Sequence, residues 1–274
     1  MNKTCALVFS YHRPMQCDAC LKSLKYHTLD YNYLDTFVLY KSDDEEFDYA
    51  YGLSINENPE VKFIKESEFK ENIKNIISNY EYVIFLVDDN LFTHNFSVKE
   101  IEKLLKEYDK ILGFSLRLGL NTHYSYPTAK EQVIPPHKVI NKKILLWSWV
   151  NEELDFGYPI ELSSSVYRIE DIYPILDNCN YHNPNELEYV MDFCKKYFQV
   201  THPYMACYEK SVAFCAPVNR VNPKNGNRSG SKEESSIENL LTKYENGGRI
   251  DVNKLVGFIP NACHQEIDFD FYYT

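Results

Sequence analysis

The stretch EYVIFLVDDN, residues 81–90, runs through six apolar residues, Tyr82 to Val87, and then stops at Asp88, Asp89 and Asn90. An uninterrupted apolar run of this length suits a strand buried on both faces of a parallel sheet. Two adjacent carboxylates at its tip repel each other, so the arrangement calls for a compensating cation or abundant water. Adjacent acids at a strand end suit a hard cation such as Mg²⁺ or Mn²⁺, which takes oxygen ligands and is often shared with a substrate phosphate. The same three residues also fit a solvated turn, because Asp and Asn are common turn residues.

Working outward, the flanking sequence alternates strand and helix. Strands are expected over 4–10 (TCALVFS), 33–41, 61–66, 82–87 and 110–118. Helices are expected between them over 13–27, 43–53, 67–80 and 97–108. Pro14 stands at a helix start, and Ser97 with Glu100 forms a capping box. This alternation predicts an α/β fold, a mainly parallel, Rossmann-like sheet with helices on both faces. Ligands of such sheets bind beyond the carboxyl ends of the strands. Ser10 to Arg13, Lys41 to Asp43 and Asp88 to Asn90 all fall there.

The second half is less regular. Residues 119–165 read as loops and short strands, 169–178 and 183–197 as helices, and about 236–246 as a last helix. Between them, 216–236 is dense in Asn, Gly, Pro and Ser, and its part from about 219 to 236 is expected to be a mobile loop. No repeat or clean linker divides the chain, so residues 1–274 are read as a single domain.

Composition narrows the partners. The net charge of −11 argues against general nucleic-acid binding, which needs a basic surface. The longest apolar runs fall far below the roughly 18 residues of a bilayer span. The expectation is a cytoplasmic protein with at most peripheral attachment to the inner face of a membrane. Cys17 and Cys20 form the one CxxC among eight cysteines, with no second pair to complete a zinc site. They are expected to be buried on a helix.

VFSYHRPMQCDACLKSL (8–24) followed by FLVDDN (85–90) resembles glycosyltransferases of the GT-A fold, with the second segment similar to their Asp-x-Asp motif. GFSLRLG, DFGYPIELSSSVYR, NPNELE and APVNRVNPKNGNRSG resemble a family 2-like bacterial branch found with surface-polysaccharide synthesis. The resemblance implies a UDP- or GDP-sugar donor, a Mn²⁺ or Mg²⁺ cofactor, and a glycan or glycolipid acceptor. It implies that residues 1–118 hold the nucleotide sugar and 119–274 the acceptor.

Residue by residue, the resemblance implies that Asp88 contacts the ribose or the metal, with Asp89 or Asn90 completing the metal site and His264 a late ligand. Ser10, Tyr11, Arg13, Lys41, Asp43 and Arg117 would meet the nucleotide sugar. Arg13 is equally suited to an ion pair with nearby acids, and His264 to a core or surface position. Asn227 and Arg228, with Asn219 and Arg220, could close over the diphosphate. Inverting transfer needs a general base. The resemblance points to Glu188, with Glu186 beside it and Asp155 as the alternative, although acids in a helix's first turn also simply complement its dipole. Trp147, Trp149, Tyr158 and Tyr167 could stack on sugar rings, but the core is their commoner place.

Two rival classes remain. A sugar nucleotidyltransferase would normally carry a glycine-rich loop after the first strand, and SYHRPMQ has no glycine. A non-catalytic glycosyltransferase-like module would keep the fold without turnover.

Overall fold

The computed structural model describes residues 2–221 and 228–274. Its first half contains β1 (Thr4–Tyr11), α1 (Pro14–His27), β2 (Leu34–Lys41), α2 (Glu45–Glu57), β3 (Lys62–Lys65), α3 (Phe69–Ile77), β4 (Tyr82–Val87), β5 (Asn90–Phe92), α4 (Val98–Glu107) and β6 (Ile111–Ser115). The second half adds β7 (Tyr124–Ser125), β8 (Lys130–Glu131), β9 (His137–Ile140), β10 (Ile144–Ser148), β11 (Ser165–Arg168), α5 (Ile169–Asn178) and α6 (Pro184–Cys194). It ends with β12 (Tyr204–Tyr208), β13 (Ala213–Cys215), α7 (Ile237–Glu245), β14 (Gly248–Ile250) and β15 (Phe271–Tyr273).

Nine strands form one sheet in the order β3-β2-β1-β4-β11-β6-β12-β10-β9. The first four run parallel. β11 is inserted antiparallel between β4 and β6, and β12 is parallel to β6. β10 and β9 complete that side antiparallel. The sheet is thus mixed, with its parallel half carrying the strand ends singled out from the sequence.

Strand alternation explains the two-sided core. Leu7, Phe9, Val83 and Phe85 face one side, against α3, α5 and α6 through Phe69, Ile73, Ile172 and Met191. Ala6, Val8, Ile84 and Leu86 face the other, against α1 and α4 through Leu21, Leu24, Ile101 and Leu105. Cys17 and Cys20 lie buried on this second face of α1, and all eight cysteines are unpaired. A third cluster joins α1, α2 and α7 through Met15, Phe47 and Leu240.

Some element boundaries move. The strand expected to reach residue 118 stops at Ser115, whose hydroxyl accepts from the Leu118 N–H in a turn. The helix expected to reach residue 197 ends at Cys194 and gives way to a 3₁₀ turn, Lys195–Tyr197. The expected last helix is α7, capped by the Ser236 hydroxyl on the Asn239 N–H. β11 and β12 lie inside the sheet where the periodicity announced no strand.

Candidate functional site

β4 ends in a tight turn that fixes the acidic tip. The side-chain oxygen of Asn90 accepts from the Val87 N–H at 2.8 Å, and its amide nitrogen reaches Cys215 Sγ at 3.1 Å. Asn90 is fully buried, and β5 pairs it with Cys215 of β13. Both ends of its amide are therefore committed to holding the turn.

Asp88 is enclosed by the end of β1. It accepts from Ser10 Oγ at 3.0 Å, from the Tyr11 N–H at 3.2 Å and from Arg13 Nη1 at 3.1 Å. The same nitrogen lies 3.4 Å from Asp89. Arg13 Nη2 donates to the Asn219 carbonyl, which ties the tip to the start of the Asn-rich loop. Burial pushes the Asp88 carboxyl up, to about 6, and Asp89 adds to this while Arg13 opposes it. Burial raises Asp89 as well, again against Arg13. Arg13 thus forms an ion pair with both acids.

Beside this pair, β1 leaves the sheet through His12, whose φ is 55°. Non-glycine residues in this left-handed region are uncommon and cluster at functional sites. The turn stacks His12 between Tyr11 and Phe47, with ring centroids 4.1 and 4.0 Å apart. Tyr11 Oη donates to Asp43 at 2.5 Å, and Lys41 Nζ stands 5.9 Å from the Tyr11 ring. Ser10, Tyr11, Arg13, Lys41, Asp43, Asp88 and Asp89 thus belong to one corner of the sheet.

A second polar group lies across β13. Arg117, at the end of the β6 segment, is 2% exposed. Its guanidinium faces Asp155 at 3.7 Å and Glu161 at 3.5 Å. Burial raises Asp155, with Arg117 opposing. Glu188 sits in the first half of α6 and accepts from the Leu162 N–H at 3.3 Å. Burial, reinforced by Glu161, pushes its carboxyl up to about 7. Glu186 instead faces solvent, where it accepts from the His182 N–H at 2.8 Å as Asn183 caps the Glu186 N–H. Its placement in the first turn is that of a helix cap.

His264 forms a bridge to Cys215, which neighbours Asn90 on its other side. Its Nδ1 is buried without a hydrogen-bond partner. Burial, with the nearby Arg117 beside it, pushes the imidazole down to about 3, which favours the neutral ring. Asp89 reaches the same strand, where its carbonyl accepts from the Ala216 N–H at 2.8 Å. Among the described residues no three His, Cys, Asp or Glu side chains are gathered around a common point. The donor types nevertheless fit a divalent cation that takes its remaining ligands from a diphosphate: a carboxylate, Asp89, and a neutral imidazole, His264.

Arg228 is exposed and lies over the Tyr126 ring at 4.3 Å, donating to Tyr124 Oη at 2.9 Å. Asn227 lies outside the described residues. Trp147, Trp149 and Tyr167 are core, their polar atoms bonded to the carbonyls of Phe156, His202 and Pro159. Tyr158 is half-buried below Lys195. The residue that sequence reasoning missed is Glu161, 1% exposed. Its signal was a lone acid between Ile160 and Leu162, where burial of a charge demands a partner.

No family model matches the chain. The bifunctional glycosyltransferase pgtA of Dictyostelium discoideum is 30% identical over 244 residues, covering 78% of this chain and 32% of pgtA. The chain therefore spans about a third of the length of that curated relative. Among solved structures, S. aureus TarS matches with a TM-score of 0.50 at 12% identity, over 78% of this chain and 36% of TarS. TarS 1–349 in complex with UDP-GlcNAc also gives 0.50, at 11% identity, over 89% of this chain and 72% of that one. Together with the mixed nine-stranded sheet, these likenesses give the chain a GT-A-like glycosyltransferase fold.

Proposed function

We propose that the chain transfers a sugar from a nucleotide-diphosphate donor to a hydroxyl of a glycan or glycolipid acceptor, with divalent-metal assistance and inversion. The observation that carries this reading is the Asp88–Asp89 pair, bridged by Arg13, beside the Tyr11–Asp43 corner. The first half, 1–118, serves the donor and the second, 119–274, the acceptor. A TarS structure was obtained with UDP-GlcNAc, which supports a UDP-sugar as first candidate, with GDP-sugars beside it.

In this reading Ser10, Tyr11 and Asp43 position the nucleoside, and Arg13 faces the diphosphate. Asp89 and His264 would hold Mn²⁺ or Mg²⁺, with Asp88 on the ribose or the metal. The bound ion would supply Lewis-acid stabilisation of the departing diphosphate. Glu188 takes the proton of the acceptor hydroxyl as that oxygen attacks the anomeric carbon. The bond from that carbon to the phosphate oxygen breaks, and the nucleoside diphosphate leaves with the electron pair. Glu188 is preferred over Asp155 because burial pushes the Glu188 carboxyl up to about 7, whereas Asp155 faces the buried Arg117 at 3.7 Å, whose charge opposes its uptake of a proton.

No helix among the described residues is long and apolar enough to cross a membrane. The proposed setting is the cytoplasm, with a glycolipid acceptor met at the membrane's inner face.

Arg13 already compensates the acidic pair, which favours a second reading, a nucleotide-sugar binding module without turnover. Incubating the protein with UDP- and GDP-sugars and Mn²⁺ tests both readings. Released UDP or GDP, lost in Asp89→Ala, supports transfer. Nucleotide binding without release from any sugar supports the module. Pyrophosphate from a sugar phosphate and a nucleoside triphosphate would instead identify a nucleotidyltransferase.

A further inference from the structure

We propose that the outer face of α6, with the turn that follows it, docks on an anionic lipid surface and so brings a glycolipid acceptor to the site. The inference deepens the transferase reading, on which the acceptor rests, by naming the surface that meets the bilayer.

A surface helix normally buries one side and shows polar side chains on the other. Leu187, Met191 and Cys194 are the core side of α6. Its other side carries Tyr189 and Phe193, continued by Tyr197 in the 3₁₀ turn, at a spacing of four residues that places side chains along one helix face. Tyr189 is 73% exposed, Phe193 58% and Tyr197 68%, and Val200 just beyond them is 88% exposed. An isolated exposed apolar residue is ordinary, but four within one short segment mark a contact surface.

The charge around the row selects what covers it. Asp and Glu outnumber Lys and Arg by 40 to 29 in the chain, yet Phe193 to Tyr204 contains Lys195, Lys196 and His202 and no acid. Lys196 Nζ lies 3.7 Å from the centroid of the Phe193 ring and 5.3 Å from that of Tyr197, so one cation sits between two rings of the row. Lys195 is already engaged, by Asp192 at 2.6 Å and by the Gly157 carbonyl at 3.2 Å. Lys196 makes no ion pair among the described residues, which leaves its charge for a partner. Glu186 stands at the far end of the row, held by the His182 N–H.

Exposed rings interleaved with lysine are the chemistry of helices that lie in a membrane interface, where the rings enter the headgroup region and the ammonium reaches lipid phosphates. Tyrosine, an apolar body with a polar tip, suits that boundary. Phe193 and Val200 offer no side-chain hydrogen bond, which disfavours a polar glycan chain as the occupant.

The position suits the acceptor. Glu188 lies on the same helix, where it accepts from the Leu162 N–H at 3.3 Å. A helix with its side chains is only about 10–12 Å across. A bilayer on the aromatic row would therefore stand about one helix width from the assigned base. A glycolipid hydroxyl could reach Glu188 while its lipid tail stays in the bilayer.

Co-sedimentation with vesicles tests the docking face, using phosphatidylcholine alone and phosphatidylcholine mixed with phosphatidylglycerol. The wild type should bind the mixed vesicles more tightly. A triple variant, Tyr189→Ser with Phe193→Ser and Tyr197→Ser, should weaken that binding by about tenfold or more. Lys196→Ser should weaken it by about fivefold, on the anionic vesicles alone. Both variants should bind UDP with Mn²⁺ like the wild type, and circular dichroism would establish that they fold. A wild type that sediments with neither vesicle overturns the docking face, even when UDP binds. So does a triple variant that binds vesicles as the wild type does. A triple variant that alters only the oligomeric state in ultracentrifugation assigns the row to a second copy of the chain and overturns the proposal too. If vesicles bind through the row but no nucleotide binds the wild type, the docking face stands and the transferase reading falls.

Discussion

Arg13 Nη1 lies 3.1 Å from the carboxylate of Asp88, and the two side chains are only 12 and 6% exposed. Removing one member of a buried pair typically costs about 3–5 kcal/mol, because the surviving charge loses its compensation. Arg13→Met is expected to lose stability of that order in urea denaturation. Mn²⁺ should restore more stability to the variant than to the wild type, since a cation can take over the vacated role. Equal effects of Mn²⁺ on both proteins would count against this account of the tip.

Glu188 is the assigned base, so its loss should strike turnover rather than binding. Glu188→Gln is expected to lower kcat by about 10²–10⁴-fold, the usual worth of a general base. The affinity for UDP or GDP with Mn²⁺ should stay at the wild-type value. A variant that keeps near-normal turnover moves the role elsewhere, with Asp155 next in line.

The same carboxyl links pH to stability. Burial raises Glu188 to about 7, so the folded chain holds this proton more tightly than the unfolded one does. Its contribution is fully present below the ordinary carboxylate range and is lost as pH rises through about 7. The melting temperature of the wild type should therefore fall more between about pH 5 and pH 8 than that of Glu188→Gln. Activity should move the opposite way, rising with pH as Glu188 ionises. Parallel melting curves for the two proteins across this range would contradict the assignment.

Gly113 tests the framework beneath the second polar cluster. A Cβ added there would sit 2.7 Å from the Tyr167 ring. Tyr167 Oη in turn anchors the Glu161 N–H. Overpacking of this kind costs about 1–3 kcal/mol. Gly113→Ala should lower stability by that amount in urea denaturation. A variant as stable as the wild type would show that Tyr167 has room to move.

The parallel half of the sheet was legible because its strands are buried on both faces and read as unbroken apolar runs, as in Tyr82–Val87. The polar strand ends at Ser10, Lys41 and Asp88 followed from that reading alone. β11 was not legible, because Ser165 and Arg168 interrupt its pattern. Arg168 is buried all the same, since its guanidinium is satisfied by the carbonyls of Leu105, Asp109 and Ile111. Local periodicity cannot register such long-range partners.

The site divides in the same way. Asp88 and Asp89 announced themselves by repulsion at a strand tip. Asn90 stands beside them in sequence, but the turn it closes became visible only with the contacts to Val87 and Cys215. Glu186 and Glu188 are two residues apart on one helix and so point in different directions, one to solvent and one to the Leu162 N–H. Glu161 needed the fold, because its significance lies in Arg117, which is 44 positions away in the chain.

The most direct test of the central claim is calorimetric titration of UDP and GDP into the wild type and Asp89→Asn, each with and without Mn²⁺. The account predicts that Mn²⁺ tightens nucleotide binding to the wild type by about tenfold or more, and that Asp89→Asn loses this gain. Nucleotide affinity indifferent to Mn²⁺, or a metal effect that survives in Asp89→Asn, would contradict it.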